Sequence, residues 1–308
     1  MGDGRWDPKF WSSTRASYNA SNPTVDHIFR SSRLAPDLAP ADIKLRESRD
    51  SASNPNSTAL IVALDVTGSM DKVLDVMARD SLGTLVASIY ERRPITDPHI
   101  MIMGIGDFEC DRSPVQATQF EAENKPLVEQ MEKIHLERGG GGNHYESYAA
   151  AWLFAATKTS IDCFEKRGKR GYLFTVGDEQ PTPILYAKHI KQFLGLDEVK
   201  DLTGPEILKL ASATYDIFHV IVEEGSHARA HPDQVRREWV KTLGQHVLPL
   251  GDHEKLAEVI VSAIEVAEGR DKDAVAGSWS GATSVVVANA IRDIVAGEHR
   301  EGAVRLNY

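Results

Sequence analysis

The sequence predicts an α/β fold: a doubly wound, mostly parallel six-stranded sheet flanked by helices, with an extended N-terminal arm and a C-terminal helical extension. Three observations predict it. Thr58–Asp65 (TALIVALD) is a continuous apolar run of the kind found in a strand buried on both faces of a parallel sheet. Similar runs recur along the chain and alternate with segments whose apolar residues are spaced by three and four, which is the strand–helix alternation of a parallel sheet. A length of 308 residues suits one α/β domain of roughly 200 to 250 residues plus extensions.

In chain order, residues 1–57 are rich in Ser, Asn, Pro and Asp, with isolated aromatics (Trp6, Phe10, Trp11, Tyr18, Phe29) and no sustained periodicity. They read as an arm whose aromatics wrap the core or a partner, with plain disorder as the alternative for the first twenty residues. After the first strand, Val73, Leu74, Met77, Leu82, Leu85, Val86 and Ile89 trace one face of a helix that stops before Pro94. A second strand is expected at 99–106, a short antiparallel edge strand at 115–120 and a helix at 126–136. Four glycines, 139–142, then break the chain before a long helix from Tyr145 to about Glu165. Tyr172–Val176, 216–222 and 246–250 supply three more strands, with helices at 184–194, 205–214, 232–243 and 253–268. The sheet domain therefore spans 58–270, and 271–308 form an extension with a small-residue helix at about 283–296. There is no internal repeat.

Composition narrows the function classes. With 42% hydrophobic and 26% charged residues the chain is an ordinary globular sequence. A net charge of -10, with basic residues scattered rather than striped, argues against nucleic acid as a partner. No run of about 18 apolar residues occurs, and no secretory leader is evident, so a cytoplasmic protein without a membrane span is expected. Two cysteines, Cys110 and Cys163, lack any CxxC or framework spacing and read as buried thiols. The 11 histidines include His227, His231 and His253 in polar contexts without an HExxH pattern, and they read as solvated. Gly104-Ile-Gly106 lacks the third glycine of a dinucleotide fingerprint, and there is no GxxxxGK[ST].

In an open α/β sheet, ligands bind beyond the carboxyl ends of the strands. Three segments qualify: Asp65-Val-Thr-Gly-Ser69 after the first strand, Asn143-His-Tyr-Glu146 after the glycine run, and Gly177-Asp-Glu179 after the Tyr172 strand. A carboxylate and two hydroxyls at i, i+2 and i+4 on a tight turn can converge on one point, with Gly68 permitting the bend. All three are oxygen donors, the set preferred by a hard divalent cation, with Mg2+ first and Mn2+ or Ca2+ as substitutes.

These residues resemble the metal-ion-dependent adhesion site of von Willebrand factor A (VWA) domains, a family with a Rossmann-like sheet, in the type seen in bacterial and phage proteins. Asp65, Thr67 and Ser69 look like its DxSxS motif, Gly139–Asn143 its glycine-rich loop, and Asp178 the acidic residue after its fourth strand. Asn143 stands where the family usually has threonine, and Val-Gly-Asp replaces Thr-Asp-Gly. Asn143 still offers an amide oxygen. Glu146, read as one turn into the long helix, would add a carboxylate, and Asp107, Asp111 and Glu179 are candidates for a supporting shell, with capping as the alternative role for Asp107 and Asp111.

The resemblance implies a metal-dependent interaction module that grips an Asp or Glu of a protein partner, with MoxR-type AAA+ ATPases as the family-level candidates. Two other classes stay open. A metal-dependent phosphohydrolase would use Asp65 as nucleophile, but Thr67 stands where such enzymes place their acid/base aspartate. A structural scaffold would use the arm and C-terminal helix for contacts and leave the metal site vestigial.

Overall fold

The computed structural model describes residues 4–20, 24–138, 143–197 and 199–295. Its central sheet contains β1 (Thr58–Asp65), β2 (Pro98–Ile105), β3 (Val115–Ala117), β4 (Gly171–Gly177), β5 (Tyr215–Val222) and β6 (Val247–Leu250), in the spatial order β6-β5-β4-β1-β2-β3. Neighbours pair in parallel except β2 and β3, which run antiparallel. This is the doubly wound α/β sheet that the apolar runs predict, with Val115 in the expected edge strand.

Side chains alternate across a strand, and β1 shows how that alternation divides the core. Leu60, Val62 and Leu64 enter one apolar cluster while Ala59, Ile61 and Ala63 enter the other. Along the chain the main helices are α1 (Pro8–Ala20), α2 (Asp71–Val76), α3 (Leu82–Arg92), α4 (Asn124–Met131), α5 (Ala149–Lys158), α6 (Gly204–Ala211), α7 (Ser226–Ala230), α8 (Pro232–Leu243), α9 (Leu256–Ala267) and α10 (Ala282–Ile291). The first cluster takes residues from α1, α2, α3, α4, α9 and α10; the second takes residues from α5, α6, α7 and α8. Helices therefore cover both faces, which explains why all eight residues of β1 are buried.

Several local expectations change. The N-terminal segment is not merely extended: it contains α1, whose Trp11 and Tyr18 join the first cluster, and the Tyr18 hydroxyl donates to Glu132 at 2.6 Å. Gly83 makes room for it, because a Cβ there would lie 1.9 Å from the Trp11 indole nitrogen. Cys110 is exposed, and only Cys163 is the buried thiol expected of both. The single helix expected over Tyr145–Glu165 is broken. Tyr145–Glu146 is extended and pairs with Gln180–Pro181, α5 occupies Ala149–Lys158, and Thr159–Ile161 pairs with Arg46–Ser48. Strand partners from distant segments override the local helix preference, and β-branched Thr159 and Ile161 give it up readily. The Arg46–Ser51 approach to β1 is ion-paired, with Arg49 on Asp162 and Glu165, and Asp50 on Arg167.

One buried ion pair ties the two ends of the first layer together. Glu265 on α9 is fully buried and accepts from Arg92 Nε at 3.1 Å and Nη2 at 2.7 Å, and from Arg270. The Arg92 guanidinium also lies 4.2 Å from the centre of the Trp279 ring. Removing one partner strands a carboxylate in the core. Arg92→Ala is expected to cost about 3 kcal/mol in urea unfolding, the low end for such a loss because Arg270 stays in place.

Candidate functional site

The order β6-β5-β4-β1-β2-β3 places the first strand in the middle, with successive connections leaving it in both directions. The edge at the carboxyl ends of β1 and β4 is the position at which α/β sheets of this kind bind ligands. Asp65 ends β1 and Asp178 follows β4, and these two strands are hydrogen-bonded neighbours.

From that edge a continuous chain of oxygens runs between the two carboxylates. Asp65 Oδ1 accepts from the Thr67 amide at 2.8 Å and its hydroxyl at 2.6 Å. Thr67 Oγ1 lies 3.4 Å from Ser69 Oγ, and Ser69 Oγ donates to Asp178 Oδ1 at 2.9 Å. Asp65 and Asp178 are fully buried, and Thr67 is 3% exposed. The structure thus brings together Asp65, Thr67, Ser69 and Asp178 from two separated segments.

Glu146 reaches the same sheet edge by a different route from the one expected. It lies not in a helix but in the Tyr145–Glu146 strand, held by the Thr182 amide and hydroxyl on its carbonyl at 3.3 and 2.6 Å. Its side chain is 2% exposed and its Oε2 is buried without a hydrogen-bond partner. An ionised carboxylate in that condition is costly unless a cation or a proton satisfies it. Burial, and then Asp65, push the Glu146 carboxyl up to about 11. Burial and the nearby Asp178 charge outweigh the bonds from Thr67 and Tyr148 and lift Asp65 to about 7. Glu179, lifted first by burial and then by Asp65 and Asp178, stands at about 7.

The remaining predicted residues form an adjoining loop network. Asn143 Nδ2 donates to Asp107 Oδ2 at 2.6 Å, and its Oδ1 accepts from the Tyr145 amide at 3.3 Å, so the amide faces Asp107 rather than the hydroxyl chain. Asp107 Oδ1 caps the Glu109 amide and Asp111 Oδ2 caps the Asp107 amide. These two carboxylates therefore do the capping work weighed against a supporting role. Gly139–Gly142, the bulk of the predicted glycine-rich loop, lie outside the described residues.

Three further residues shape this edge. Tyr148, fully buried, donates to Asp65 Oδ2 at 3.0 Å and accepts from the Glu179 amide at 3.3 Å. The His227 amide, near the start of α7, donates to Asp178 Oδ2 at 2.8 Å. Gly225 has an ordinary φ of -61°, so its role is steric: a Cβ there would lie 2.3 Å from the Asp178 Cβ. Position after β5 at the same sheet edge could have flagged Gly225 and His227; nothing local points to Tyr148. Gly225→Ala is expected to destabilise by about 1–3 kcal/mol through overpacking, read by thermal unfolding, with the displacement falling on Asp178.

His231 is exposed, as the solvated reading has it, whereas His227 and His253 are half-buried and each lies in a cluster. His144, His227 and His231 cluster, with ring centres 5.0 Å apart for His144–His227 and His227–His231 and 5.7 Å for His144–His231. Burial and the neighbouring His144 and His231 hold the His227 imidazole below its usual range. Beyond β5 and β6, His253 Nδ1 meets Glu224 Oε2 at 2.6 Å, and with Asp252 they place ligand atoms within 4.8 Å of one another. Among the described residues that is the compact His/Asp/Glu group; the Asp65 site differs in that Thr67 and Ser69 hydroxyls span the gap between its carboxylates. Asp252 Oδ1 also caps the Glu254 amide, so local bonding accounts for much of the Glu224 group.

No family model and no curated protein sequence matches the chain. Among solved structures it is similar to a von Willebrand factor type A protein from Catenulispora acidiphila, with 14% identity, a TM-score of 0.42, and coverage of 70% of this chain and 44% of that one. It is also similar to the pilus adhesin SpaC from Lactobacillus rhamnosus GG, with 10% identity, a TM-score of 0.44, and coverage of 72% and 32%. Proximal thread matrix protein 1 from the mussel byssus gives 12% identity, a TM-score of 0.42, and coverage of 69% and 46%. The chain spans less than half the length of each of these solved chains.

Proposed function

We propose that this protein is a metal-dependent interaction module in which Asp65, Thr67, Ser69 and Asp178, with Glu146, hold a hard divalent cation at the carboxyl edge of the sheet. Mg2+ is the first choice, with Mn2+ or Ca2+ as substitutes. The observation that carries the reading is the buried Glu146 Oε2 without a partner, beside two fully buried aspartates joined by hydroxyls. Such a set is all oxygen and rich in negative charge, which suits Mg2+ and repels a further anion in its absence.

A cation held there leaves a coordination position for a carboxylate oxygen of a partner. The chain's own residues do the rest: Tyr148 and the His227 amide fix the outer oxygens of Asp65 and Asp178, and Gly225 leaves room for Asp178. The partner is a protein presenting Asp or Glu, and a MoxR-type AAA+ ATPase is the class implied by the VWA resemblance. The same reading makes the protein a non-enzymatic adaptor in the cytoplasm. No helix among the described residues is long and apolar enough to cross a membrane.

Affinity purification of partners in Mg2+ and in EDTA tests this, alongside an Asp65→Ala, Ser69→Ala variant. A partner is expected in Mg2+ alone and with the wild-type protein alone. Equal recovery in all three conditions would replace the metal-centred reading with the scaffold, and turnover of a generic aryl phosphate would revive the hydrolase.

A further inference from the structure

We infer that His144, His227 and His231 form a second metal site, built from nitrogen donors and selective for a borderline ion such as Zn2+, Co2+ or Ni2+. It does not depend on a cation at Asp65. The imidazoles come from two places in the fold: His144 from the loop before the Tyr145–Glu146 strand, and His227 in α7 with His231 just after it, where the His231 amide donates to the His227 carbonyl at 2.9 Å. His231 closes α7 with non-helical backbone angles, φ -134° and ψ 49°, and its ring centre lies 5.0 Å from that of His227.

The separations fit coordination. An ion about 2.0–2.1 Å from each of three imidazole nitrogens at tetrahedral angles sets the ring centres about 5 Å apart. The observed separations are 5.0, 5.0 and 5.7 Å. The nitrogens of the three rings do not all lie within 4.8 Å of one another, so binding requires the rings to turn about their Cβ–Cγ bonds. His144 and His231 are exposed and free to do so, whereas His227 is half-buried.

A second observation points to a ligand. His227 Nε2 is buried and has no hydrogen-bond partner. An imidazole nitrogen left bare in that way is either a costly loss or a lone pair waiting for an acceptor of electrons. His144 also sits at φ +67°, a left-handed conformation in which a non-glycine residue is uncommon. Nitrogen donors without a thiolate suit Zn2+, Co2+ and Ni2+ and discriminate against Mg2+ and Ca2+, which prefer oxygen. Three ligands leave a fourth position for water or for a side chain of a partner. The His227 amide also donates to Asp178, so the two sites are neighbours that share no ligand atom.

The test uses the full-length chain without a polyhistidine tag, in excess Mg2+ so that oxygen sites are occupied. Zn2+ is titrated by calorimetry, and Co2+ is titrated by visible absorption, which reports nitrogen coordination. One equivalent of zinc per chain is expected. His231→Ala, on an exposed residue, and His227→Ala are each expected to weaken zinc at least about tenfold, the scale of losing one support of a metal site. Asp65→Asn is expected to leave zinc affinity unchanged, which separates failure here from failure of the Mg2+ reading. The inference is overturned if wild-type protein takes up no zinc, if both histidine variants bind as tightly as wild type, or if Asp65→Asn loses zinc. Loss in His253→Ala with retention in His231→Ala also overturns it, by moving the ion to Glu224 and Asp252.

Discussion

Asp65→Asn is expected to stabilise the metal-free protein while abolishing its response to Mg2+. Asp65 is fully buried and its carboxyl stands at about 7, chiefly through burial, so near pH 8 its ionised form weakens the fold by roughly 4 kcal/mol relative to an ordinary carboxylate, at about 1.4 kcal/mol per pKa unit. Asparagine removes the charge and keeps an oxygen for the Thr67 amide. It weakens the bonds from the Thr67 hydroxyl and Tyr148, so a net gain of about 2 kcal/mol is expected in urea unfolding without metal. The wild type should overtake the variant once Mg2+ is added. A variant less stable than wild type in EDTA would mean that the buried carboxylate is satisfied by the protein alone.

Mg2+ is expected to raise the melting temperature of the wild type by about 5–10 °C at saturating concentration, and by more at about pH 8 than at about pH 5.5. A carboxyl group whose folded value lies above its unfolded value binds its proton more tightly in the folded state. Its contribution is therefore most favourable below the unfolded value, and stability falls as pH rises towards the folded value. Asp65 and Glu179 complete that loss by about 7, and Glu146 continues it towards about 11. A cation competes with those protons, so its stabilising effect grows through the same window. Differential scanning fluorimetry with and without Mg2+ at both values reads the difference; equal shifts at the two values would separate metal binding from these carboxylates.

These expectations share a physical origin. The site stores unfavourable electrostatics in a fold held elsewhere by two apolar layers and by pairs such as Arg92–Glu265. Functional sites commonly cost stability in this way, and a substitution that relieves the strain removes the function with it.

Five of the six strands were legible because each is a predominantly apolar run, and a strand buried on both faces has no other pattern to show; the sixth, Val115–Ala117, is the start of the polar 115–120 stretch expected as an edge strand. Residues 58–65, 115–117 and 232–243 fall where periodicity puts them. Asp65, Thr67 and Ser69 were legible because one tight turn fixes them, and Asp178 because it follows a recognisable strand. The break at Thr159–Ile161, the extended backbone at Glu146 and the helix inside the N-terminal segment were not, since each depends on a partner far away in sequence. The gathering of His144 with His227 and His231 has the same character, although the i, i+4 spacing of the last two was present in the chain. By itself the sequence determined the alternation of strand and helix and the chemistry at the ends of β1 and β4, because local patterning and turn geometry act over a few residues. Only the tertiary structure decided which buried oxygens lack partners and which histidines meet, because those facts belong to contacts across the sheet edge that no local interaction specifies.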